Sequence, residues 1–144
     1  MRKTSIVTIE AEGRDKGKMF MLTEMSAAQA EKWALRAFFA LMNTGVEIPA
    51  DIAEAGMAGI ASMGLQALGK LPFEAAEPLL DDMWACVQII PDPSKKNVAR
   101  FVMDEDIEEV GTRIFLRKEV FDLHTGFFTG AASSTSGQEA ADPR

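Results

Sequence analysis

The stretch from Gly17 to Ala34 constrains this chain more than any other. Within a few residues it passes from a strand-like run, Lys18-Met19-Phe20-Met21-Leu22-Thr23, to the start of an amphipathic helix. Upstream, Ser5-Ile6-Val7-Thr8-Ile9-Glu10-Ala11 is rich in β-branched residues. It places Val7, Ile9 and Ala11 on one face and Thr8 and Glu10 on the other. Gly13-Arg14-Asp15-Lys16-Gly17 joins the two runs as a turn with a solvated tip, and a glycine at each end supplies positive φ. The second strand is apolar on both faces, so each side needs cover. A hairpin alone is marginal in water and must pack on helices or join a larger sheet.

The helix start is specific. Ser26-Ala27-Ala28-Gln29 fits a capping box, in which the Ser oxygen accepts the Gln29 N–H and the Gln side chain reaches back. Ala30, Trp33, Ala34, Ala37, Phe38 and Leu41 then form an apolar stripe at helical spacing, with Gln29, Lys32, Arg36 and Asn43 roughly opposite. Leu35, Phe39 and Met42 widen the apolar face toward the helix end near Met42, and Gly45 is a plausible stop.

Pro49 and Asp51 open a second helical stretch. From Ala55 to Gly69 there is no charged residue in 15 positions, too few for the roughly 20 that span a bilayer. Four glycines in it each cost about 1 kcal/mol of helix stability against alanine, so only close packing keeps it helical. A buried central helix, broken near Gly64, is the expectation; a segment ordered only against a partner is the alternative. Leu71-Pro72-Phe73 is a break. Glu77-Pro78 suits a helix entry, after which Leu79, Leu80, Met83, Trp84 and Val87 face inward. Pro91 to Asn97 is a loop, and Val98–Met103 a short strand.

Asp104 is placed to cap a last helix. Glu105, Asp106, Glu108 and Glu109 lie near its positive end, and Arg113, Arg117 and Lys118 lie later. Ile107, Val110, Ile114 and Phe121 recur at helical spacing, joined by Phe115, Leu116, Val120 and Leu123, and Gly126 ends the helix. From Thr129 no large apolar residue appears, so residues 129–144 are expected to be a disordered tail on a single domain of 1–128. The fold class is therefore α+β: an N-terminal β-hairpin followed by a predominantly α-helical domain. Trp33, Phe38, Leu80, Trp84, Ile114 and Phe121 are expected in the core.

A net charge of −7 and scattered Lys and Arg argue against nucleic acid and anionic membranes as partners. No apolar signal segment follows Met1-Arg2-Lys3-Thr4, which points to the cytoplasm. Cys86 is the one cysteine and reads as a core thiol. His124 is the one histidine, with no nucleophile or second ligand beside it in sequence, and reads as a helix-end partner. Asp81-Asp82 and Asp104-Glu105-Asp106 lack the spacing of a calcium loop. Gly13 to Lys18 lacks the strand–loop–helix context of a phosphate loop. No catalytic residue, metal or cofactor is expected, and the chain does not read as an enzyme. Nine methionines offer adaptable apolar surface as well as core filling.

Several segments together resemble the tail assembly chaperones of long-tailed bacteriophages. They are Met25-Ser26-Ala27-Ala28-Gln29-Ala30-Glu31-Lys32-Trp33-Ala34, Gly45-Val46-Glu47-Ile48-Pro49, Glu77-Pro78-Leu79-Leu80-Asp81-Asp82-Met83, Cys86-Val87-Gln88, Asp106-Ile107-Glu108-Glu109-Val110 and Leu116 to His124. The resemblance covers most of residues 4–128 and carries no catalytic residue. It implies a protein that coats the long helical tape measure protein in the host cytoplasm, keeps it soluble, and is absent from the mature virion. Contacts with the tail tube protein and self-association stay open. The rival expectation is a structural virion component, such as a tail terminator or head–tail joining protein. For a helical partner, the expected contacts are Phe39, Met42, Met57, Ile60 and Met63.

Overall fold

The computed structural model describes the backbone of residues 1–44 and 65–141, and side chains over 1–44 and 68–125. The chain is an α+β fold in which a four-stranded antiparallel sheet carries helices on one face. Strands β1 (Thr4–Thr8) and β2 (Met19–Thr23) are followed by helix α1 (Ala27–Asn43). Helix α2 (Phe73–Trp84), strands β3 (Val87–Ile90) and β4 (Arg100–Phe101), and helix α3 (Val110–Ala141) follow among the described residues. The strands lie in the order β1-β2-β3-β4.

The hairpin forms where expected and joins a larger sheet. Its turn ends in a bulge: Gly17 donates its N–H to the Ile9 carbonyl, and Ile9 donates to the Lys18 carbonyl. Two residues thus oppose one, with Gly17 at φ +90°, a conformation open to glycine at little cost. The bulge sets the register that pairs Thr8 with Met19 and Ile6 with Met21.

Strand alternation decides what reaches the core. Phe20, Leu22, Val87 and Ile89 are buried among α1, α2 and α3. Each side chain of that kind, fully buried, stabilises the fold by about 1.5–3 kcal/mol. On the other face Ile6, Met21, Gln88 and Phe101 form a row across all four strands. Ile6 and Phe101 of that row are exposed, so both ends of the row lie open.

Helix α1 follows its sequence closely. The Ser26–Gln29 capping box is complete, and Trp33, Ala34, Ala37 and Leu41 are buried. Trp33 donates Nε1–H to the Leu79 carbonyl at 2.9 Å, which satisfies its polar atom inside the core. Its ring meets Phe121 at 6.3 Å between centroids.

Other expectations are corrected. Helix α2 begins at Phe73 instead of Glu77, which leaves Pro78 inside it. A proline there removes one helix hydrogen bond, and the Glu77-Pro78 edge lies on the exposed side where water can serve the freed carbonyl. Val87 does not extend that helix; it opens β3, the strand against which β2 completes its pairing. Four consecutive residues rich in β-branching do better as a buried strand than as a further helical turn. Strand β4 is shorter than the expected Val98–Met103 run.

The last helix starts at Val110; Asp104–Asp106 is a separate 3-10 turn and Ile107 is extended. Arg113 therefore sits in the first turn of α3, not later in the helix. The helical backbone runs past Gly126 to Ala141. Ile114 is 61% exposed although it shares a stripe with Phe121. Only the later part of that stripe reaches Trp33, so Phe121 is buried and Ile114 is not. Phe38, Leu80 and Trp84 are half-buried against the core and not inside it. The expected helix after Pro49, with its break near Gly64, lies largely outside the described residues; Leu65–Lys70 is a 3-10 turn.

Candidate functional site

The surface that stands out is the outer side of α1. Leu35, Phe39 and Met42 are 47%, 57% and 54% exposed. Their spacing of four and three places them on one side of the helix, away from Trp33, Ala37 and Leu41. The apolar residues that widen the stripe thus face solvent. Phe38 stands between the two faces, half-buried, with its ring 6.2 Å from that of Phe39. Of the expected contacts, Phe39 and Met42 are brought together here. Met57, Ile60 and Met63 lie outside the described residues.

Next to this face, at the end of α1, is a cleft of about 510 Å³ lined by Ala40, Thr44, Lys70, Leu71, Pro72 and Ala75, among others. Among the described residues that line it, Lys70 is the charged one. A second cavity, about 590 Å³, lies between α1 and the sheet. Arg2, Lys32 and Arg36 line it together with Glu24 and Asp82, and Cys86 lies at its wall. Burial, reinforced by the nearby Asp82 charge, pushes the Cys86 thiol up to about 11, with Arg2 opposing. The thiol stays protonated at neutral pH and is a poor nucleophile.

His124 and Asp106 are engaged by the fold. His124 Nε2 accepts the Met25 N–H at 2.9 Å, and Nδ1 lies 2.8 Å from the Val120 carbonyl. An N–H can only donate, so Nδ1 carries the proton and bonds Val120. The imidazole ties α3 to the segment before α1. Asp106 binds Arg100 through both carboxylate oxygens and accepts the Met103 N–H. Among the described residues no three His, Cys, Asp or Glu side chains come together as a metal site. No described helix is long and apolar enough to cross a membrane.

Asp15 is a buried polar residue that sequence patterning missed. A solvated hairpin tip is the expectation, yet its side chain is 1% exposed. It accepts N–H bonds from Glu108 at 2.9 Å and Glu109 at 2.8 Å and a hydroxyl bond from Thr112 at 2.8 Å. Lys18 bonds the same carboxylate at 2.8 Å and donates to the Asp106 carbonyl. Burial alone would raise this carboxyl; the Lys18 ammonium and the donors of Glu108, Thr112 and Glu109 outweigh it and hold it well below the usual range. Asp15, and not Asp104, serves the positive end of α3. Its one advance signal is an acid flanked by glycines in a turn, which is also how a solvated tip looks.

No family model matches the chain, and neither does any curated protein or solved structure.

Proposed function

We propose that this protein is a tail assembly chaperone that binds a phage tape measure protein and keeps it soluble in the host cytoplasm during tail tube assembly. The observation that carries this reading is the exposed Leu35–Phe39–Met42 side of α1. Three large apolar side chains at helical spacing form a surface on which an amphipathic helix can lay its own apolar stripe. Methionine and phenylalanine contacts of this kind tolerate varied partners, which suits the coating of a long helix by many copies. The net charge of −7 helps keep the coated complex soluble. The sequence resemblance supplies the identity of the partner. Phe39 and Met42 are the contact residues, and Met57, Ile60 and Met63 extend the set.

Co-expression tests the reading. The tape measure protein should be insoluble alone and soluble with this chain, and replacement of Phe39 and Met42 by aspartate should abolish the rescue. The protein should be missing from purified virions. Fixed copies in the finished particle, with no co-purification of the tape measure protein, would favour a tail terminator or head–tail joining protein instead.

A further inference from the structure

The two edges of the sheet differ. Strand β4 is two residues long, and Arg100 Nη1 donates to the Phe101 carbonyl at 3.0 Å, so a side chain already occupies that edge. Strand β1 is the other edge, five residues long, and Thr4-Ser5-Ile6-Val7-Thr8 contains no charge and no proline. Sheet edges are normally blunted by one of those devices or by a cover. The direction of the free main-chain groups follows from the ladder. Ile9 donates its N–H to Lys18, and Lys3 accepts from Glu24, so odd-numbered residues of this strand bond β2. The N–H and C=O of Thr4, Ile6 and Thr8 therefore point outward.

We infer that β1 pairs with β1 of a second copy of this chain, antiparallel about a two-fold axis through Ile6, to make one continuous eight-stranded sheet. Three observations select this occupant and register. A two-fold axis perpendicular to a sheet requires residues of the same face to oppose each other, so only even-numbered outward residues can pair with one another. Centring the axis on Ile6 pairs Thr4 with Thr8 of the other copy and uses the whole strand. The same register sets Arg2 opposite Glu10 of the other copy, twice, which gives charge complementarity flanking the neutral Thr4–Thr8 strand at both ends. A register shifted by one pair in either direction loses that match. Ile6, 45% exposed in the single chain, would then lie against its own copy beside Met21. The inference is independent of the tape-measure reading and makes the β1 edge, not α1, the self-contact.

The test is sedimentation equilibrium over a wide concentration range, combined with cysteine scanning. The wild-type chain should show a concentration-dependent monomer–dimer equilibrium. Ile6→Lys puts two like charges on the axis, at an exposed site that the single fold tolerates. It should remain monomeric at concentrations where wild type is mostly dimer, with an unchanged circular dichroism spectrum. Glu10→Arg and Arg2→Glu should each weaken the dimer at least several-fold at low salt, and the double exchange should restore it. Paired residues on the axis have Cα atoms about 5.5 Å apart, inside the roughly 4.4–6.8 Å range of a disulfide. Ile6→Cys should therefore cross-link under mild oxidation, whereas Thr8→Cys alone should not. A wild-type chain that stays monomeric throughout, an Ile6→Lys variant that dimerises as well as wild type, or cross-linking at Thr8 in place of Ile6 would overturn the proposal.

Discussion

Asp15 accepts a 2.8 Å hydrogen bond from the Thr112 hydroxyl, 97 positions later in the chain, and this contact locks the hairpin turn onto the start of the last helix. The same carboxylate holds the N–H groups of Glu108 and Glu109 and the ammonium of Lys18. Removing it leaves two main-chain donors and the Thr112 hydroxyl without their acceptor. It also takes the buried counter-charge from the Lys18 ammonium, which keeps only its bond to the Asp106 carbonyl and a distant Glu108. Asp15→Ala should cost about 2–4 kcal/mol, since charged hydrogen bonds and buried ion pairs both fail at once. Asp15→Asn, which keeps the shape and one acceptor oxygen, should cost less. Urea unfolding measures both; a loss below about 1 kcal/mol for the alanine variant would show that the turn and helix are held by packing alone.

The depressed Asp15 carboxyl makes stability depend on pH with a definite sign. Its folded value lies below the unfolded value of about 3.9, so the unfolded state binds more protons in the window between them. The stabilisation is fully present above about pH 5 and is lost as pH falls through that window. Asp106, held down chiefly by its hydrogen bonds to Arg100, acts in the same direction. The wild-type chain should lose stability steeply on acidification below about pH 4.5. The stability gap between wild type and Asp15→Asn should shrink over the same interval. A gap that stays constant from pH 7 to pH 3 would contradict the assignment.

Trp84 illustrates a different kind of surface. The Arg113 guanidinium carbon lies 3.9 Å from the ring centroid and that of Arg117 lies 5.1 Å away, while Arg117 also donates to the Leu80 carbonyl at 3.3 Å. Two cations stacked on one half-buried ring tie α2 to α3. They also account for a positive charge in the first turn of α3, where the helix dipole disfavours it. A double-mutant cycle between Trp84→Leu and Arg113→Ala should give a coupling of about 0.5–1 kcal/mol. Zero coupling would reduce the contact to incidental proximity.

What could be read in advance was whatever local chemistry decides. The Ser26–Gln29 box needs four consecutive residues, and the Gly13–Gly17 turn needs the φ freedom of its two ends; both formed as expected. The helical spacing of Trp33, Ala34, Ala37 and Leu41 likewise marked one buried face. Val87 to Ile90 was not legible as a strand, because a short apolar run after a helix looks the same as another helical turn until a partner strand is known. Ile114 and Phe121 share a stripe, yet only Phe121 meets Trp33, and coverage of one end of a helix is a tertiary fact. Asp15 was hidden for the same reason: its partners are far away in sequence. At the candidate surface, apolar character was readable at Leu35, Phe39 and Met42, but whether this widened part of the stripe would be covered as well was not.

Cys86 should be chemically quiet in the native protein. Its side chain is buried, Sγ lies 3.7 Å from the Asp82 carbonyl, and the thiol is pushed up to about 11. Thiolate is the reactive form, so at pH 8 the native chain should react with a thiol reagent far more slowly than a free cysteine, whose value is about 8.5. Full reactivity should appear in denaturant. Rapid native-state labelling would mean that the wall of the neighbouring cavity opens frequently.

Phe39 and Met42 allow stability to be separated from binding. Both side chains already face water, so removing them sacrifices little burial, and surface changes of this kind usually fall within about 0.5 kcal/mol. The Phe39→Ser, Met42→Ser double variant should therefore unfold at nearly the wild-type denaturant midpoint. Trp33→Phe, by contrast, removes the 2.9 Å bond to the Leu79 carbonyl and part of the contact with Phe121, and should cost about 1–3 kcal/mol. If the α1 surface binds an apolar helix, the first variant should lose partner solubilisation while keeping its fold, and the second should lose stability first and solubilisation only as the chain unfolds. A serine double variant as destabilised as Trp33→Phe would show that Phe39 and Met42 pack against the chain's own residues and are not free to meet a partner.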